Sequence, residues 1–200
     1  MKKIKLILIF MLFIFINIII FNKQIAYFYS SSFILSTKEN SADAVILLRG
    51  NSEPIALKAK DITAKKYFII DSKRISKKYA RLFLSEAQKK KSILKKFNID
   101  SEILNKYSAV NRFDEALEVI EVLKKNKFGH IILVGATLTS KRTKLVFEHM
   151  LDKNGFYDTK IDFVTTTKIP IDWYKKESYL IAHLLEPFMW LFYLGMLNRY

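Results

Sequence analysis

Two short runs, Ala44-Val45-Ile46-Leu47-Leu48 and His130-Ile131-Ile132-Leu133-Val134-Gly135, carry almost no polar alternation, and longer amphipathic stretches separate runs of this kind. A strand without alternation is apolar on both faces, which a sheet tolerates only where helices cover both sides. The pattern predicts an α/β fold: a doubly wound, mainly parallel sheet with helices on both faces. Strands are expected at residues 44–48, 67–71, 103–107, 130–135 and 160–164. Helices are expected at 53–64, 76–97, 112–125, 140–153 and 172–198. Asn111 followed by Asp114 reads as a helix start, because Asn accepts a backbone N–H while the acid complements the positive helix end. The 200 residues, with no internal repeat, suit one such domain and a short appendage.

The appendage is the leader. Leu6 to Phe21 is apolar apart from Asn17, and Lys2, Lys3 and Lys5 precede it. From Ile4 to Ile25 a helix would reach about 30 Å, long enough to cross a hydrocarbon core. The leading lysines predict a cytoplasmic N-terminus and an extracytoplasmic remainder, hence a single-pass protein of the cell membrane. A cleaved signal peptide is the alternative; the bulky Ile25-Ala26-Tyr27-Phe28-Tyr29 lacks a small-x-small cleavage site and favours an uncleaved anchor. The expected organisation is an anchor at 1–26, a tether without clear period at 27–42, and the α/β domain at 43–200. Leu180 to Tyr200 is rich in Leu, Phe, Trp and Tyr but broken by Glu186 and Pro187, so it reads as a core helix packed on the sheet rather than a second span, with a place in the membrane interface as the alternative.

Composition removes several chemistries. The chain has no cysteine, which excludes disulfide scaffolds, zinc knuckles and cysteine nucleophiles. His130, His149 and His183 lie far apart without metal-ligand spacing, so no metal is expected. Gly50 stands without the neighbouring glycines of a Walker loop or dinucleotide fingerprint, and no Gly-x-Ser-x-Gly elbow occurs, so no cofactor is expected. The net charge of +15, from 34 basic and 19 acidic residues, is mostly lysine. It reads as a solvated lysine surface, with an anionic partner such as phospholipid, glycan or nucleic acid as the alternative. No aromatic-basic reader motif argues for nucleic acid, and the oligomeric state is left open.

In a doubly wound fold, ligands bind beyond the carboxyl ends of the strands, where loops enter helix N-termini with unpaired N–H groups. The candidate ligand-binding residues on those loops are Arg49, Gly50, Asn51, Asp71, Ser72, Ser108, Asn111, Arg112, Asp114, Glu115, Thr137, Thr139 and Arg142. Arg49, Arg74, Arg112 and Arg142 are expected to converge on one rim, with Arg49, Arg112 and Arg142 holding an anion, since the planar guanidinium fork suits phosphate and carboxylate. Asn111, Asp114 and Glu115 would orient the ligand, with helix capping as the alternative role of the acids. N–H groups near Thr139 would add dipolar stabilisation.

Three stretches carry a family resemblance: Ala42-Asp43 with the strand Ala44–Leu48; Ser108 with Asn111 to Ala116; and Val134 to Arg142. Together with Trp173 and Glu186 they resemble the YdcF-like (DUF218) family over residues 42 to about 193. Departures from its pattern are Arg49 for a glycine, Pro54 near a usual arginine, Lys73 for a glycine, Arg112 for a threonine and Thr139 for a histidine. The resemblance implies a ligand crevice in a bacterial envelope protein and a link to lipid carriers, surface glycans or nucleotides. Because threonine cannot replace histidine as an acid or base near neutrality, it implies no particular reaction. The expected role is a membrane-anchored domain binding a phosphorylated envelope metabolite, such as a lipid-linked sugar precursor or nucleotide, in cell-wall maintenance. The alternative is a non-catalytic, site-degenerate scaffold at the membrane.

Overall fold

The computed structural model describes residues 22–71, 85–107 and 109–199, with residues 7 and 11. Most of the expected N-terminal span, Ser72, Arg74, residues 76–84 of the expected helix 76–97, and Ser108 lie outside the described residues. The elements run α1 (Asn22–Ser31), β1 (Ser41–Leu47), α2 (Ser52–Ala59), β2 (Thr63–Ile70), α3 (Glu86–Lys95), β3 (Glu102–Leu104), α4 (Arg112–Lys125), β4 (His130–Gly135), α5 (Ser140–Lys153) and β5 (Lys160–Thr165). A short 3-10 turn (Trp173–Lys175) then leads into α6 (Glu177–Leu197).

The five strands pair in parallel in the order β3-β2-β1-β4-β5. Successive side chains of a strand point to opposite faces, and the two cores follow that rule. Val45, Leu47, Ile69, Ile132 and Val134 pack with Ile55 and Ala56 of α2 and Ala87 and Leu94 of α3. Ala44, Ile46, Phe68, Ile131 and Leu133 pack with Phe113 and Val119 of α4 and Val146 and Phe147 of α5. The result is the doubly wound parallel sheet expected from the unalternated runs.

Local signals placed β4, α4 and α5. At the start of α4, Asn111 Oδ1 accepts the N–H of Phe113 (2.8 Å) and Asp114 (3.1 Å), while Asp114 Oδ2 accepts the N–H of Asn111 (3.1 Å). Non-local pairing moved other boundaries. β2 starts at Thr63, inside the expected helix 53–64, because Thr63 pairs with Ser41 and its N–H donates to the Asn40 carbonyl at 2.8 Å. β3 stops at Leu104, and the Tyr107 N–H turns to the Glu118 carboxylate at 2.5 Å.

Residues 27–42 are not a loose tether. Leu35 N–H donates to Ser140 Oγ (2.8 Å) and Thr37 N–H to the Phe163 carbonyl (2.8 Å), which fastens this stretch to the start of α5 and to β5. The end of α1 is fastened too: Trp173 Nε1 donates to the Ala26 carbonyl (3.1 Å) and Tyr29 to the His183 carbonyl (2.8 Å). Backbone bonds and ring contacts leave no hydrophobic period, which is why the segment looked featureless.

Nor is α6 a core helix. Among the described residues it is the one helix long and apolar enough to cross a membrane, and only 17% of its most apolar window is buried. Its buried residues are His183, Glu186 and Tyr193. The polar positions that looked like outward interruptions are the inward face, where Glu186 meets Arg142.

Gly135 closes β4 with Phe163 and Leu48 packed closely against it. A Cβ there would approach Phe163 Cζ to 2.9 Å and Leu48 Cδ1 to 3.0 Å. Gly135→Ala is expected to destabilise the fold by about 1–3 kcal/mol through overpacking. A denaturation midpoint equal to wild type would mean that this core gives way freely.

Candidate functional site

The strand order reverses direction at β1, whose chain leaves toward α2 on one face, while β4 beside it leads to α5 on the other. Such a switch point opens a crevice at the carboxyl ends of the two strands. Leu48-Arg49-Gly50-Asn51 and Ala136 to Thr139 form its two lips, and Ala109-Val110-Asn111 reaches over from the β3 side.

The three arginines of the expected rim belong to one connected web. Glu115 Oε1 accepts both the backbone N–H and the Nε–H of Arg49, each at 3.0 Å. Arg49 Nη1 and Nη2 donate to the carbonyls of Ala109 (3.0 Å) and Val110 (2.7 Å). The other oxygen of Glu115 pairs with Arg112 Nη1, and Arg112 Nη2 reaches Thr139 Oγ1 at 3.5 Å. The Tyr193 hydroxyl accepts the Arg112 N–H at 3.4 Å, and its ring lies 4.6 Å beneath the Arg142 guanidinium. Arg142 is itself forked onto Glu186, Nε to Oε1 at 2.8 Å and Nη2 to Oε2 at 3.0 Å.

This web changes the assignment of several expected ligand contacts. Arg142 is 5% exposed and its fork is occupied by Glu186, so it braces α5 against α6 rather than facing a ligand. Glu115, fully buried, is a shared counter-ion. Asn111 and Asp114 are committed to the cap of α4, and Asp114 Oδ2 also takes the Val110 N–H at 2.8 Å. Thr137 Oγ1 donates to the Thr167 carbonyl at 2.5 Å and joins the loops after β4 and β5. Thr139 sits at the start of α5 without a side-chain cap bond. Asp71 ends β2, its N–H on the Leu104 carbonyl at 2.9 Å.

An open hollow lies beside the web, at the ends of β1 and β2. It has a volume of about 280 Å³ and is lined by Arg49, Gly50, Asn51, Ile70, Glu86 and Lys90. A second of about 390 Å³ shares Asn51 and Glu86 and extends between α2 and α3. Gly50 has φ +132°, a backbone conformation that a side chain would strain, and it turns the chain into α2. Asn51, ahead of α2, makes no side-chain cap bond. The Ser52 and Glu53 N–H groups at the edge of the groove thus take no acceptor from the Asn51 side chain, and Pro54 in the same turn has no N–H.

Lys90 is the residue that sequence reasoning passed over. It is fully buried, and its Nζ donates to the Leu48 carbonyl at 2.7 Å. Burial pulls its pKa down to about 8 against the opposing pull of the Glu115, Glu86 and Asp71 carboxylates. Glu86 is bound by the Ser52 hydroxyl, which with Lys89 holds its carboxyl below the usual range despite partial burial. A signal was present: Lys90 shares the buried stripe of α3 with Ala87 and Leu94, at helical spacing. The flanking Lys89 and Lys91 made the triplet look like solvated surface.

Among the described residues no cluster of three His, Asp or Glu side chains could hold a metal ion. No protein-family model matches the chain, and no curated protein matches its sequence.

Proposed function

We propose that this chain is a membrane-anchored YdcF-like domain whose groove between α2 and α3 binds the phosphoryl group of an anionic envelope metabolite. A lipid-linked sugar precursor or a nucleotide would present such a group. The observation that carries the reading is the buried Lys90 at the floor of an open hollow beside the uncapped start of α2. A buried ammonium is costly unless an anion offsets it. Helix N–H groups and a lysine are a common pair of partners for phosphate. Arg49 shapes the lip, while Arg112 and Arg142 form the frame behind it. A hollow of about 280 Å³ suits a phosphoryl or single-sugar group, because sites for larger ligands run from about 300 to 1,000 Å³.

The test is thermal unfolding of the full chain in detergent micelles with inorganic phosphate, a polyprenyl phosphate or a nucleotide sugar. Ligand at a hundred times its Kd should stabilise the protein by about 2.7 kcal/mol. Lys90→Met should abolish that shift; Arg142→Ala should lower the melting temperature yet keep the shift.

A second reading, a non-catalytic scaffold at the membrane, is favoured by the pairing of all three rim arginines with internal acceptors. It gains if no anion stabilises the wild type.

A further inference from the structure

We infer that the outward face of α6 is bedded in a lipid bilayer, with the helix lying along the membrane surface beside the domain rather than crossing. The polarity of this helix is inverted for a protein in water. Its inward face buries His183, Glu186 and Tyr193. Its outward face carries Leu184 (56% exposed), Leu185 (54%), Phe188 (69%), Leu191 (69%), Phe192 (56%) and Leu194 (44%). Soluble monomers rarely leave so continuous an apolar strip uncovered.

The attachments of α6 run along most of its length. His183 stacks on Trp173 at 3.7 Å near the start, Glu186 holds Arg142 in the middle, Tyr193 stacks on Phe113 at 5.4 Å, and Met196 and Leu197 pack on the core near the end. A helix held to a domain this way cannot be ringed by lipid, but it can sink one face into the headgroup and acyl boundary, about 5–10 Å deep.

Continuity with the leader identifies lipid as the occupant. The apolar run 6–21 leads in sequence directly into α1, and α1 is fastened to the 3-10 turn before α6 through Ala26–Trp173 and to α6 itself through Tyr29–His183. Tyr27 and Phe28 stand exposed on α1, the residue types that populate a membrane interface. Exposed Lys175 and Lys176 before α6 and Arg199 after it suit anionic headgroups. This inference rests on the membrane-anchored part of the proposed function and is independent of its ligand.

The chain has no cysteine, so single substitutions Leu184→Cys, Phe188→Cys and Leu191→Cys give unique label sites at exposed positions. The full chain, nitroxide-labelled, would be placed one copy per nanodisc of phosphatidylcholine and phosphatidylglycerol. Collisions with oxygen and with a water-soluble nickel chelate then report depth. The expected result is a similar shallow burial at all three sites and full water exposure at Tyr157→Cys, on a surface residue 74% exposed. Water exposure at all three sites equal to that at 157 would overturn the inference. So would a depth that climbs steadily from 184 to 191, which marks a crossing helix. Protection that appears only when discs hold two copies would assign the face to a second chain and overturn it as well.

Discussion

Glu115→Ala is expected to cost about 3–5 kcal/mol of folding stability, the usual penalty for removing one partner from a buried ion pair. Glu115 is fully buried and serves two guanidinium groups at once, Arg49 through Oε1 and Arg112 through Oε2. Its loss leaves two positive charges near the crevice without their counter-ion. The Arg49 backbone N–H loses its acceptor as well. Glu115→Gln keeps an oxygen for Arg49 while discarding the charge and should cost less. Pairing Glu115→Ala with Arg112→Met should recover part of the loss, because one of the stranded cations is gone. Unfolding in detergent micelles by denaturant reads all three. A loss below about 1 kcal/mol for the alanine variant, the range of exposed ion pairs, would show that the web does not hold the crevice together.

Lys90→Met is expected to change the sign of its effect with pH. The folded pKa lies near 8, below the 10.5 of a free lysine. Between those values the unfolded chain binds more protons than the folded one, so wild-type stability rises with pH across that window. Below pH 8 the full burial penalty is present, about 3 kcal/mol for a shift of this size. Methionine removes the penalty but leaves the Leu48 carbonyl without its donor, a cost of about 1–3 kcal/mol. The variant should therefore equal or exceed wild type at pH 7 and fall below it near pH 10.5. The change in the difference between the two, about 3 kcal/mol, does not depend on the carbonyl term. A difference constant from pH 7 to pH 10.5 would mean that Lys90 is ionised in the fold as in water. A site residue that costs stability until its ligand arrives is what the proposed function requires.

The parts of this fold that were legible in the sequence are those set by local chemistry. The Asn111–Asp114 cap fixed the start of α4, and the unalternated run His130–Gly135 fixed β4. The meeting of Arg49, Arg112 and Arg142 in one web was legible from the post-strand loops of a parallel sheet, though as internal ion pairs with Glu115 and Glu186 rather than the anion grip expected. Their partners were not. Glu186 meets Arg142 across 44 residues of chain, and only the packing of α6 decides that its polar side turns inward. The same non-local choice hid the hold of residues 32–37 on β5. Lys90 was hidden in another way, since a lysine between two lysines gives no compositional sign of burial.

The proposed function makes Lys90 a buried cation that a bound anion would stabilise, and the titration of Lys90 itself tests this. Lysine labelled with carbon-13 at Cε, with the Lys90 resonance assigned by its loss in Lys90→Met, would be followed by NMR in the full chain. The expected midpoint is near pH 8 without ligand, raised by about one unit or more with saturating inorganic phosphate, because a bound anion favours the charged form. A midpoint near the free-lysine value of 10.5 that phosphate leaves unmoved would contradict it.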